Sequence, residues 1–334
     1  MISNSAVNSS KTGTFFQAVC LSCVFAFAST SAYAADASFD RTLNLSGPPM
    51  LSVATGSGSI HLHAGSDSQM HIIGHIHGNK GWMSGSDVDA RIREIAANPP
   101  IAQSGNQVTV GDRHNNDLYR SIGIDYDISL PRNSTITASS GSGDVDIQDV
   151  GSSLKAETGS GNLNVANLDG AVTVQTGSGD VKAESLGSGA KLGTGSGTID
   201  AEGMRGAVSL DTGSGDIRLQ QNGSAEVKAQ TGSGSIRANG VNGGLKAGTG
   251  SGDIEINGQP TADWKLDSGS GSIRLGVGNG AKFTLNAETG SGTVHVDQPI
   301  TMQGDLNRHH VRGAVNGGGV MVRAETGSGD ISIR

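Results

Sequence analysis

Residues 176–197 read TGSGDVKAESLGSGAKLGTGSG, and the fold turns on what the chain does with such Gly-Ser-Gly triplets. A glycine-rich loop can cradle a phosphate, bind calcium, serve as a linker or turn a corner. Spacing separates these roles. Preceded by Thr or Ser, the triplet begins at Gly141, Gly159, Gly177, Gly195, Gly213, Gly232, Gly250, Gly269, Gly290 and Gly327, with an eleventh copy at Gly56. From Gly141 the steps are 18, 18, 18, 18, 19, 18, 19, 21 and 37 residues. The last step is about two periods, which implies one degenerate unit between. A linker has no reason to keep step, and a phosphate loop has no reason to recur in this way. Fixed periods near 20 residues mark a repeat architecture.

Outward from each triplet the chain alternates. After it come DVDI, NLNV, DVKA, TIDA, DIRL, SIRA, DIEI, SIRL, TVHV and DISI, with aliphatic second and fourth residues. Before it, Leu154 and Ala156, Val172 and Val174, Val208 and Leu210, or Trp264 and Leu266 keep the same spacing. Period two is strand spacing. Each unit therefore reads as strand, Gly-Ser-Gly corner, strand and a second corner such as Asn167-Leu168-Asp169-Gly170. An antiparallel meander would leave one apolar face uncovered, because residues 141–334 hold no helical cover. A parallel β-solenoid puts both aliphatic rows into one thin core. The sequence thus predicts an all-β chain, a right-handed parallel β-solenoid or β-helix with coils of about 18 residues. With strands about 4.8 Å apart, the coils would stack into a rod of roughly 50 Å.

The corners carry their own pattern. The residue before the triplet is Thr or Ser in all eleven copies, and the residue after is Ser, Asp, Asn or Thr. Stacking predicts a ladder of hydroxyls on one side of the corner and short side chains bonding the turn backbone on the other. From 144 to 253 aspartates fall on every second coil, which keeps like charges apart. The triplet glycines are expected to supply positive φ.

Composition agrees with a thin core. Among 334 residues there are 53 Gly, 7 Pro and 3% aromatics, too few large side chains for a thick globular interior. Residues 1–34 read as an export signal: Lys11, an apolar run from Phe15 to Ala28, then Ala32-Tyr33-Ala34 for cleavage. Cleavage there would remove both cysteines, Cys20 and Cys23, and leave 22 Lys+Arg against 31 Asp+Glu, a net charge of −9 with no transmembrane segment. That balance disfavours nucleic acid as a partner. Residues 35–140 read as initial coils with an inserted capping segment (79–135), continuous with the solenoid repeats of 141–334. In the insert Asp87 would cap a short helix over 88–97 with Val88, Ile92 and Ile95 on one face. Gln107 to Val110 and Ile122 to Leu130 alternate as strands.

The stretches ARIREIAANPPIAQSGNQVTVG (90–111), YDISLPRNSTITASSGSGDVDI (126–147) and VRGAVNGGGVMVRAETGSGDISIR (311–334), with the repeats between, resemble a bacterial family of candidate adhesins with a β-strand repeat. The resemblance spans about residues 50–334. It implies a right-handed β-helix-like fold in an exported protein and carries over no catalytic residue.

Three chemistries compete with a purely structural reading. His61, His63, His71, His75 and His77 include His-x-His pairs that suit Zn²⁺ or Cu²⁺, yet they also occupy the outward positions of strands, and no Cys or evident carboxylate completes a site. Calcium-binding β-rolls need Gly-Gly-x-Gly-x-Asp in both halves of a coil, a pattern missing here. A polysaccharide-degrading β-helix would use a cluster of charged residues on one face. Arg218, Arg237, Glu255 and Arg274 form such a row, although mixed charge on a solvated face reads the same. The sequence therefore predicts an exported, non-catalytic module, an adhesin or cell-envelope scaffold without cofactor, whose partner would be an envelope polysaccharide or surface protein. The alternatives are a carbohydrate-active β-helix enzyme and a periplasmic metal-binding protein using His61, His63, His75 and His77. The terminal strand Asp330-Ile331-Ser332-Ile333-Arg334 reads as an exposed edge open to self-association.

Overall fold

The computed structural model describes residues 36–78, 85–111, 117–302 and 307–334. The expected export signal lies outside the described residues. Within them the alternating sequence forms two long sheets. Strands that follow a triplet, such as Leu163–Ala166, Val181–Glu184 and Ile199–Met204, make the first sheet. Strands that precede one, such as Ala171–Thr176, Ala190–Thr194 and Val208–Thr212, make the second. Neighbours one coil apart pair parallel and in register, Leu163 with Val181 and Val165 with Ala183 in the first sheet, Val172 with Ala190 and Val174 with Leu192 in the second. This is a parallel β-solenoid rather than a meander.

The core follows from the alternation. Every inward Val, Ile, Leu and Ala of these strands is buried, and full burial of one Val, Ile or Leu stabilises by about 1.5–3 kcal/mol. A third buried row, Val150, Leu168, Leu186, Met204 and Val241, comes from the second corner. Trp264 is buried too, its indole Nε1 donating to the Gly243 carbonyl at 2.7 Å. Small aromatic content is therefore no deficit, because three short apolar rows fill the space between the sheets.

The corners differ from expectation in one physical respect. None of the triplet glycines has positive φ. They are required by close approach instead: a Cβ on Gly161 would lie 2.0 Å from the Gly143 carbonyl oxygen, and one on Gly159 2.3 Å from that of Gly141. Left-handed backbone belongs to the second corner, at Asp149, Asn167, Ser185, Gly203 and Gly240. The Thr hydroxyls are buried and form no hydroxyl-to-hydroxyl ladder. From position 140 onward each donates to the last glycine of the neighbouring triplet, as Thr176 Oγ1 does to Gly161 O and Thr194 Oγ1 to Gly179 O, both at 2.8 Å, whereas half-buried Thr55 donates to Ile124 O at 2.9 Å. The short residue after the triplet accepts from the next coil, Asp144 Oδ1 from Asn162 N at 2.7 Å and Asp180 Oδ1 from Thr198 N at 2.8 Å.

Both ends depart from sequential stacking. The coil formed by Met50–Thr55 and Ile60–Ala64 lies directly against that of Thr135–Ser140 and Val145–Gln148, so the triplets at Gly56 and Gly141 stack although 85 positions apart. The intervening chain folds outside them. Ala37–Asn44 and Gln69–Gly78 extend the first sheet antiparallel, and helix α1 (Gly85–Ala97) packs on these two strands. Val88, Ile92 and Ile95 are its buried face. The helix starts earlier than the sequence suggests, which puts Asp87 in its first turn rather than before it. Arg91 Nη1 donates to the carbonyls of Asp117 and Arg120 at 2.9 and 2.8 Å, tying the turn before Ile122–Leu130 to the helix.

At the other end the described residues of the 37-residue step form no degenerate coil. Trp264–Ser268 pairs with Val320–Ser328, which pairs in turn with Phe283–Ser291. The chain leaves one slot empty, lays the coil of Phe283–Ser291 and Val294–Val296, turns back through the antiparallel strands Ile300–Met302 and His310–Val315, and fills the slot last. Strand Ile331–Ile333 consequently lies between Ile273–Val277 and Val294–Val296. The expected exposed terminal edge is an interior strand.

Candidate binding faces

A solenoid of in-register coils converts a sequence position into a row. On the first sheet the row three residues after the triplet brings Arg218, Arg237, Glu255 and Arg274 into direct register. Each guanidinium has its own carboxylate: Arg218 with Asp216 at 3.4 Å, Arg237 with Glu255 at 3.9 Å and Arg274 with Asp253 at 2.9 Å. The pairs are about half exposed, where such contacts contribute little stability. The Asp253 carboxyl is held below the usual range, chiefly by the Ser272 backbone N–H and then by Arg274. Asp330 is lowered in the same way by Thr293.

The histidines gather on the outer face of the first sheet near the helix end, and neighbouring strands supply carboxylates that the linear sequence does not reveal. His61 lies 3.1 Å from Asp146, His63 3.3 Å from Asp127, His71 2.7 Å from Asp40 and His77 3.4 Å from Asp125. His75 stands opposite Asp125 in the ladder and lines a shallow basin with His77, Asp36 and Asp125. Among the described residues no three His, Cys, Asp or Glu side chains converge as a metal site. The face is a mosaic of pairs. On the far end His310 Nε2 lies 3.1 Å from Asn286 Oδ1, and His295 2.7 Å from Asp297.

The second sheet carries a face that the sequence reading passed over. Three residues before the Thr or Ser of each corner stand Lys155, Thr173, Lys191, Ser209, Lys228, Lys246, Lys265 and Arg323, aligned strand by strand. The last four are adjacent like charges, an arrangement that stacking alone disfavours. Lys155, Lys246, Lys265 and Arg323 have carboxylate partners in Glu157, Glu226, Asp267 and Glu325. Among the described residues Lys191 and Lys228 have no ion pair. The signal was present in the sequence as a recurrent Lys at one phase of the repeat, but only the period before the triplet reveals it.

These features define a class, the parallel β-solenoids of two sheets whose repeated coils expose polar rows. Residues 50–334 match the family model described as Toastrack DUF4097, and the chain belongs to that family. No curated protein is significantly similar to it. Solved structures that resemble it include a candidate cell adhesion protein from Clostridium sporogenes, 13% identical, covering 90% of this chain and 99% of its own at a TM-score of 0.22. A candidate adhesin from Bacteroides fragilis is 14% identical, with coverage of 89% and 97% and a TM-score of 0.32. A candidate lipid binding protein from Parabacteroides distasonis is 11% identical, with coverage of 89% and 96% and a TM-score of 0.33. These superpositions are loose, and the fold assignment rests on strand register and the family match.

Proposed function

We propose that the chain is an exported, non-catalytic binding module, an adhesin or cell-envelope scaffold that engages a polymer or a surface protein through its repeated polar faces. The observation that carries this reading is the in-register repetition of outward side chains on both sheets, coil after coil. Each coil then contributes a weak contact, and affinity accumulates along the stack. The apolar run and cleavage pattern of residues 1–34 support export. In the row Arg218, Arg237, Glu255 and Arg274 the charges are matched and solvated, which favours a structural role over catalysis. The His-Asp pairing likewise favours a solvated face over a zinc buffer, which stoichiometric Zn²⁺ uptake abolished in a His61/His63/His75/His77 variant would instead require.

Fractionation of expressing cells, followed by protease treatment of intact cells, tests the proposal. Degradation of the mature chain on intact cells is expected of an adhesin, and protection until the outer membrane is opened is expected of an envelope scaffold. Retention in the cytoplasm at full length would overturn both.

A further inference from the structure

Two stations on the outer face of the second sheet share a composition that the fold does not require. Gln175, Gly193 and Asp211 stand side by side on three successive strands, and Gln230, Gly248 and Asp267 do so again three coils further on. The chain entering and forming the middle strand reads Gly189-Ala190-Lys191-Leu192-Gly193 in one station, where the strand is Ala190–Thr194, and Gly244-Leu245-Lys246-Ala247-Gly248 in the other, where it is Leu245–Thr249. Each lysine thus lies between two glycines on the same face of its strand.

None of these four glycines has positive φ. A Cβ on Gly189, Gly193, Gly244 or Gly248 would find its nearest neighbour at 3.6, 3.7, 3.7 or 3.9 Å, ordinary contact distance. The corner glycines contrast sharply, since Gly197 would meet a carbonyl oxygen at 2.0 Å. Glycine inside a strand weakens it and marks places where a ligand or another backbone approaches closely. Among the described residues no other part of the chain approaches here, so the vacant space points outward. At the first station it is a basin of about 450 Å³ lined by Gln175, Lys191, Gly193, Ser209, Asp211 and Lys228.

The chemistry of the walls selects the ligand. A bare backbone floor lets a flat ring settle on the sheet. The Gln amide and the Asp carboxylate on opposite sides offer the donor and acceptors that hydroxyl groups need. Lys191 at the first station and Lys228 on the neighbouring Gln230 strand, which lack ion pairs among the described residues, supply cations for an acidic substituent. A nucleic-acid backbone is disfavoured because duplex carries one charge per about 1.7 Å and calls for a continuous basic stripe, whereas in this row most of the cations are already paired with carboxylates. A polysaccharide with one acidic group per sugar makes a smaller demand. We infer that the two stations are related subsites for an acidic polysaccharide that runs along the solenoid axis, crossing the strands, with subsites about 14 Å apart at three strand spacings. The first is the stronger, because at the second Lys246 and Asp267 are already engaged by Glu226 and Lys265. This inference rests on the binding-module reading and names its ligand class.

Affinity electrophoresis and calorimetry of the mature chain with polygalacturonate, neutral dextran and poly-L-glutamate test it. Polygalacturonate should bind, dextran should not, and poly-L-glutamate should bind at least about tenfold more weakly because it offers charge without ring hydroxyls. Gly193→Leu and Gly248→Leu fill the floors without touching the corners. Each should weaken polygalacturonate binding several-fold and the pair together by more than about tenfold through lost bivalency, with circular dichroism and thermal midpoint retained. Undiminished binding by the folded double variant would overturn the assignment, as would equal binding to poly-L-glutamate or no binding to polygalacturonate. If the unsubstituted chain ignores polygalacturonate yet still adheres to cells, the ligand class falls and the binding module stands.

Discussion

Gly193 and Gly197 are four residues apart, and substitution to alanine should move stability in opposite directions. At Gly197 the added methyl would sit 2.0 Å from Gly179 O and 2.6 Å from Gly179 C. A carbon and a carbonyl oxygen rest at about 3.3 Å or more, so the coils must separate locally by roughly 1.3 Å. Three hydrogen bonds cross that gap: Thr194 Oγ1 to Gly179 O at 2.8 Å, Thr198 N to Asp180 Oδ1 at 2.8 Å and Val181 N to Thr198 O at 2.9 Å. With each worth about 1 kcal/mol net, losing two or three costs about 2–3 kcal/mol, and residual overpacking adds about 1 kcal/mol. Gly193→Ala meets nothing nearer than 3.7 Å and should stabilise by about 0.4–1 kcal/mol, because alanine restricts the unfolded chain. Equilibrium urea unfolding, with amide exchange at Val181 and Ile199 to localise the effect, measures both. A Gly197→Ala variant within about 1 kcal/mol of the unsubstituted protein would refute close coil contact as the reason for the triplet.

Other consequences follow from the same geometry. Thr194→Val keeps the shape of the buried side chain but removes the donor to Gly179 O, and should cost about 1–2 kcal/mol in urea unfolding. Gln221 is buried beside the apolar second-corner row, with Nε2 bonded to Gly206 O and Oε1 without a partner. Gln221→Met should therefore raise stability by about 1 kcal/mol, seen as a thermal midpoint about 2 °C higher. The depressed carboxyls of Asp253 and Asp330 contribute stability that is present above the unfolded aspartate value of about 3.9 and lost as pH falls through their lower folded values. Asp253→Asn should flatten the decline of stability below about pH 4, and an unchanged acid limb would count against its hydrogen bonds to Ser272 and Arg274.

Much of the architecture was legible because a repeated unit states each rule several times. The alternation around Val181-Lys182-Ala183 and the 18-residue step define strands, coil and core without any tertiary information. The apolar face Val88, Ile92 and Ile95 marked the helix in the same way. What stayed hidden depends on which coil lies beside which. The step between Gly290 and Gly327 looks like a missing repeat, yet the chain skips a slot and fills it with Val320–Ser328, and sequence spacing cannot encode stacking order. Glycine in a turn usually has positive φ, and local reasoning predicts it for the triplets. Contact with the next coil is a nonlocal constraint, and it governs instead. The histidines were recognisable one by one, but Asp40, Asp125, Asp127 and Asp146 reach them from other strands. The lysine row and its glycine stations follow the same lesson, since their meaning lies across coils rather than along them.

Disulfide trapping tests the stacking order on which both faces depend. In a chain with Cys20 and Cys23 replaced by serine, Lys265→Cys with Arg323→Cys places two cysteines in direct register on adjacent parallel strands, about 4.8 Å apart and within disulfide range. Lys265→Cys with Asn286→Cys puts them two strands apart, separated by Val320–Ser328, at about 9.6 Å and out of range. Rapid oxidation of the first pair and none of the second is the expected result. Bridging of 265 to 286 with 323 left free would show that the coils stack in chain order and would contradict the account.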